Sequence, residues 1–396
     1  MQPVATASGT PGERAAVEAA PAKVHFHGLD SLRFWAALFV IIGHIPMNQD
    51  SVGLPSPSYG ALFFRGAPAV SFFFTLSGFL ITYLLLAELR RTGGVHVGSF
   101  YLRRVCRIWP LYFLIVGFGL FFYNALLPRL HIPYKIEYTI PFALLLYSFF
   151  LPNLMNSLYT VGGILNPLWS IGVEEQFYLF WAPAVKRFHA RLPRVCWIVL
   201  GLSLIGFCLN HFGLLGTGRS WKFFSQLKFH FMAAGGLCAV WLHRKRDTLL
   251  SLPVFTNRFL QIALFAVLLD FYLADFAGWG WFSEEIVQIV LYSWLIVTVA
   301  ANPRNVIPAG NRFFEYLGKI SYGIYMYHMI AVYTTSQVFK TSSWWHGHLW
   351  LYCVAYYAMA LALVLLIAHF SYRWLELPFL RLKERRFSLL PTAPVR

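Results

Sequence analysis

The sequence predicts an all-α membrane bundle, and three observations predict it. Apolar residues fill 58% of the 396 positions, charged residues only 12%, and mean hydropathy is positive. That balance excludes an ordinary soluble domain. The apolar residues gather in runs of helical length without two-residue alternation, and only helices or closed barrels satisfy their backbone in lipid, so a helix bundle follows. Lys and Arg cluster between the runs, as they do in cytoplasmic loops. The net charge of +16 is thereby explained by topology, without a nucleic-acid partner. Cys106, Cys196, Cys208, Cys238 and Cys353 are scattered, with neither disulfide nor metal spacing.

Taken in order, residues 1–24 carry Pro, Ala, Gly and Thr without an apolar core and read as a disordered cytoplasmic tail. The first run, Gly28 to Met47, is long enough to span. A loop at 48–66 leads to the second run, about 67–86, which exits into Arg90, Arg91, Arg103, Arg104 and Arg107. Further runs follow at about 108–127, 138–155 and 167–185, the last ending at Lys186, Arg187, Arg191 and Arg194. Three crossings between Arg107 and Lys186 would put one basic cluster outside, so one run must fall short. The run at 138–155 carries Pro141 and Pro152 and is expected as a re-entrant or partial helix in a site wall. Runs at about 195–212, 223–241, 259–276, 286–301, 320–339 and 349–372 then alternate without adjustment. An outer loop between the third and fourth of these holds Asp275, Glu284 and Glu285. The sum is about ten crossings plus one partial segment, both termini cytoplasmic, with a membrane domain at 25–385 and a short tail at 386–396.

Ionisable groups inside a span are costly and therefore functional candidates. Arg33 and His44 are eleven residues apart in the first run, which returns to within roughly 20° of one helical face after an axial step of about 16 Å. A neutral imidazole can take a proton from a hydroxyl, and a carboxylate on its other nitrogen would fix the tautomer. Glu174 and Glu175 can supply that carboxylate, but adjacent residues diverge by ~100°, so at most one is expected to face His44. Arg104 and Arg107 share a helical face at the membrane entrance, where such guanidinium forks suit a polyphosphate ligand. The plainer readings are a core histidine, inside-positive snorkelling and structural ion pairs. Ser77-Gly78 reads as helix packing, because Ser77 sits in no nucleophile elbow. Trp169, Ser170 and His328 are secondary candidates, and no metal site is expected.

Six segments in order resemble the acyltransferase-3 family of integral membrane O-acyltransferases. They are Gly-Leu-Asp-Ser-Leu-Arg followed by His44, Phe-Phe-Thr-Leu-Ser-Gly-Phe-Leu, Arg104-x-x-Arg107-Ile-x-Pro, Leu-Trp-Ser-Ile-Gly-Val-Glu-Glu-Gln-Phe-Tyr-Leu, Ile-Ser-Tyr-Gly-Ile-Tyr-Met-Tyr-His and Tyr-Arg-Trp-Leu-Glu-Leu-Pro. The resemblance implies a stand-alone bundle without an added hydrolase-like domain. It implies transfer of an acyl group, usually acetyl, from cytoplasmic acyl-CoA to a hydroxyl of a sugar, glycan or secondary metabolite. His44 is then the essential histidine, Arg33 its basic partner, and Arg104 and Arg107 belong to the donor side. No permanently bound cofactor is implied, and the setting is the plasma (inner) membrane. A transporter or exporter using the same polar tunnel is the competing class.

Overall fold

The computed structural model describes residues 26–56, 66–272, 278, 280–302, 305–306, 311–342 and 345–387. The tail at 1–24, the end of the 386–396 tail, the middle of the 48–66 loop and Asp275 lie outside them. Among the described residues the structure is helical, without strands. Six helical stretches are long and apolar enough to cross a bilayer: 28–52, 66–92, 97–129, 168–211, 281–301 and 349–382. The stretch at 168–211 holds two helices, α6 (Leu168–Phe188) and α7 (Leu192–His211), joined by a single 3-10 turn. On α7, Trp197, Ile198, Leu202 and Ile205 are each more than half exposed, a surface that only lipid would cover favourably.

The other helices complete this frame and surround it. They are α1 (His27–Ser51), α2 (Gly66–Thr92), α3 (Val97–Phe121), α4 (Ile140–Ser148), α5 (Pro152–Leu158), α8 (Arg219–Gln226), α9 (Phe229–Leu250), α10 (Arg258–Tyr272), α11 (Trp281–Ala301), α12 (Arg312–Lys319), α13 (Ser321–Lys340), α14 (Leu349–Ser371) and α15 (Leu377–Phe387). The run at 223–241 is split between α8 and α9. The run at 138–155 breaks into α4 and α5 around Phe150, whose φ is 55°. Nine residues rise only about 14 Å, roughly half a hydrocarbon core, so neither piece crosses.

Contacts at the helix ends gather the basic clusters on one face of the bundle. Arg103 pairs with buried Glu88 at 2.8 Å, bringing the start of α3 to the end of α2. Tyr83 of α2 lies edge-on to His243 of α9, Arg244 donates to His189 O at 2.9 Å, and Arg246 donates to Ala301 O at 3.3 Å. The C-terminal ends of α2, α6, α9 and α11 therefore meet, and Phe26 beside Tyr83 adds the N-terminal end of α1.

At the centre, α2 crosses α9 backbone to backbone. A Cβ at Gly78 would sit 2.0 Å from Met232 O, and one at Gly235 would sit 1.9 Å from Thr75 O. Without a hydrophobic drive between helices in lipid, such close van der Waals packing through small residues holds a bundle together. Gly78→Val should lower stability by about 3 kcal/mol, since the backbone it meets cannot turn aside. Gly201→Ala, where a Cβ meets nothing within 4 Å, should not. Thermal midpoints of the purified protein in detergent check the contrast.

Candidate active site

A cavity of about 810 Å³, its mouth included, lies between α1, α2, α3, α6 and α13 in the half of the bundle nearer the basic face. Arg33, Arg104, Arg107 and Glu174 all line it, so the fold brings four of the charged residues singled out in the sequence to one space. Each guanidinium is held differently. Arg33 donates to Asp30 at 2.7 Å, one helical turn earlier on α1. Arg104 lies over the rings of Phe100 and Tyr178, 5.4 Å from each centroid, and its Nε is buried without a hydrogen-bond partner. Arg107 makes no ion pair with any described carboxylate. Three guanidinium groups and one carboxylate line the cavity, and of the three only Arg33 is ion-paired among the described residues, so N–H donors remain for an anion such as a phosphate.

Glu174 accepts a hydrogen bond from Tyr178 OH at 2.9 Å, and Tyr178 OH shares a short hydrogen bond with Ser77 Oγ. Gly78 carries the packing expected of the Ser77-Gly78 pair, while Ser77 itself lines the cavity. Glu175 turns away, with Oε1 buried and unbonded. The ~100° offset between neighbours on one helix separates the two acids as expected. Gly172 makes room for this arrangement, because a Cβ there would lie 2.4 Å from Pro152 Cδ of α5.

Ser170 Oγ lies 2.7 Å from Tyr325 OH, and the two lie 3.2 and 3.1 Å from Pro167 O, so that one hydroxyl donates to the other and the second donates to the carbonyl. They tie the start of α6 to α13. Trp169 packs edge-on against Phe74, 5.8 Å between centroids, and does not line the cavity.

His44 stands apart from the acids. Its Nδ1 lies 2.7 Å from Val40 O, so the N–H is on Nδ1 and Nε2 carries the lone pair. Among the described residues no carboxylate comes within ion-pair distance of it. The expectation that Glu174 or Glu175 orients His44 is thus corrected: a backbone carbonyl one turn back does so, because Glu174 is engaged by Tyr178 near the basic face. His44 meets His328 instead, with ring centroids 5.0 Å apart. His328 is fully buried, Nδ1 is 2.5 Å from Tyr325 O, and Nε2 has no partner. The cavity lining reaches Val70, Phe73 and Tyr325, and His44 is not part of it. Val70 is one helical turn from Gly66, whose Cβ position is 3.8 Å from His44 Nδ1, so the gap is about 6 Å along α2. The partial helices α4 and α5 are absent from the lining too. They pack behind α6, where Gln176 Nε2 donates to Phe150 O and to Asn153 Oδ1, each at 2.9 Å.

Sequence reading missed Asp30, Tyr178 and Tyr325. Asp30 and Tyr178 were discoverable, standing three residues before Arg33 and four after Glu174, where helical neighbours meet. Among the described residues, no group of three or more His, Cys, Asp or Glu side chains gathers as metal ligands would.

Fold and site define a multi-pass helical membrane protein with an arginine-lined internal cavity and a histidine pair beyond it. The chain belongs to the acyltransferase-3 family: the family's acyltransferase domain matches residues 26–369. It is similar to the O-acetyltransferase OatA of Staphylococcus aureus strain NCTC 8325 / PS 47, with 28% identity over 383 residues covering 92% of this chain. OatA of strain COL gives the same figures. The chain spans 58% of the length of these relatives. No solved structure matches.

Tyr178→Phe should destabilise the protein by about 1–3 kcal/mol, because it strips a half-buried carboxylate of its hydrogen bond. Ser77→Ala, which leaves the Tyr178–Glu174 bond intact, should cost less. Thermal midpoints in detergent rank the two.

Proposed function

We propose that this protein transfers an acyl group, acetyl in the first instance, from acyl-CoA to a hydroxyl of a sugar, glycan or small metabolite. The observation that carries the reading is the shared cavity of Arg33, Arg104 and Arg107, which suits the phosphates of a coenzyme A thioester. From that cavity an extended pantetheine arm would have to reach toward His44, about 16 Å from Arg33 along the helix. His44 Nε2 removes the acceptor's proton as its oxygen attacks the thioester carbonyl, the carbon–sulfur bond breaks, and the proton passes to the departing thiolate. The donor enters from the cytoplasm, which the clustered Lys and Arg of the basic face support. The same face supports about ten crossings with both termini on the cytoplasmic side of the plasma membrane. The O-acetyltransferase relatives support acetyl as the acyl group.

The test is purified protein in detergent, given acetyl-CoA and N-acetylated oligosaccharides, with free thiol and acetylated product followed by mass spectrometry. Transfer with no second compartment is expected, and product formation that needs sealed vesicles would favour an exporter. His44→Ala should fold and lose transfer, and full activity in that variant would end the assignment. Arg104→Gln and Arg107→Gln should each raise the KM for acetyl-CoA roughly tenfold with a smaller change in kcat, the loss of one charge-assisted hydrogen bond to the donor.

A further inference from the structure

A second polar group stands one helical turn beyond His44. Asn48 follows it by four residues on continuous α1, so their side chains share a face with Cβ atoms about 5–6 Å apart. Its amide is held in one orientation. Ser336 Oγ of α13 donates to Asn48 Oδ1. Tyr356 OH of α14 lies 2.6 Å from Ser336 Oγ and fixes the serine in turn. The next residue, Gln49, is fully buried and donates to Tyr352 OH at 2.9 Å, which anchors the same turn of α1 to α14. With Oδ1 engaged, the half-buried Asn48 presents Nδ2 and its two hydrogens away from Ser336, and Nδ2 has no hydrogen-bond partner among the described residues.

An oriented, unspent donor beside a proton-accepting imidazole is the arrangement that acyl transfer needs at its tetrahedral stage. We infer that Asn48 is a catalytic residue whose Nδ2–H donates to the carbonyl oxygen of the acyl thioester as that oxygen becomes an oxyanion, with Ser336 as its positioning residue. The inference rests on the acyltransfer reading above. The hydroxyl oxygen bonds to the carbonyl carbon while His44 Nε2 takes its proton, and the carbonyl oxygen carries the negative charge against Asn48. The charge returns as the carbon–sulfur bond breaks and the thiolate takes the proton from His44. Arg33, the cation on this helix face, is about 16 Å away and cannot serve that oxygen. His328 Nδ1 is already bonded to Tyr325 O, which leaves its Nε2 an acceptor.

The test measures thiol release from acetyl-CoA by the full-length protein in detergent, with N-acetylated oligosaccharides or water as the hydroxyl. Asn48→Asp keeps the shape and the bond from Ser336 but has no N–H to give. It should lower kcat roughly 100-fold or more, as loss of an oxyanion donor does, with the acetyl-CoA KM within about threefold and the folded protein still recovered in detergent. Ser336→Ala, which frees the amide to turn, should lower kcat by about tenfold, and Ser336→Thr should restore it. A kcat within about threefold of wild type in Asn48→Asp would overturn the inference. So would losses that track the thermal midpoint across all three variants, since a merely structural network would behave that way. If Asn48→Asp does not fold, the Ser336 pair decides by the same criteria. Absence of thiol release and of acetylated product with the wild-type protein would instead mark failure of the acyltransfer reading itself.

Discussion

The structure depends on placing three guanidinium groups and a carboxylate inside an apolar bundle. A charge removed from water must be paired, hydrogen-bonded or given a polar space of its own. Asp30 pairs Arg33, aromatic faces carry Arg104, and Tyr178 satisfies Glu174. The balance of positive charge is absorbed by the cavity that five helices enclose. A fully packed core could not hold these residues, so the cavity and the charge are one requirement. The proposed anionic donor would meet the same need.

That requirement is compatible with a rigid frame because the packing is placed elsewhere. The crossing of α2 and α9 through Gly78 and Gly235 brings two backbones into contact directly behind the cavity wall. On the helix face opposite this contact, α2 turns Phe73, Ser77 and Leu80 toward the open space. One helix thus provides both a tight seam and one side of the site, by the ordinary 3.6-residue periodicity.

The site has two chemically distinct stations along α1. Near the basic face the groups are charged and suited to binding. About 16 Å on, the groups are imidazoles, an amide and hydroxyls, which the proposed reaction uses to move a proton and hold a transient charge. Backbone carbonyls orient both histidines, Val40 O for His44 and Tyr325 O for His328, and each is left with a lone pair on Nε2. A carboxylate beside His44 is unnecessary for fixing the tautomer when the preceding turn of the same helix does so. In the proposed reaction, separation of the stations also keeps the arginines from competing for the reacting oxygen.

Much was legible in the sequence because helical periodicity and the cost of buried charge are local rules. The all-α class, the failure of 138–155 to span and the shared face of Arg33 and His44 follow from spacing and composition alone. So does the divergence of Glu174 from Glu175. What spacing along one helix cannot state is which helices are neighbours. The meeting of Arg33 with Arg104, Arg107 and Glu174, the pairing of His44 with His328 rather than an acid, and the hold of Ser336 on Asn48 are contacts between segments tens to hundreds of residues apart. Those were decided by tertiary packing, chiefly by where small residues let helices close together and where buried polar atoms found their partners.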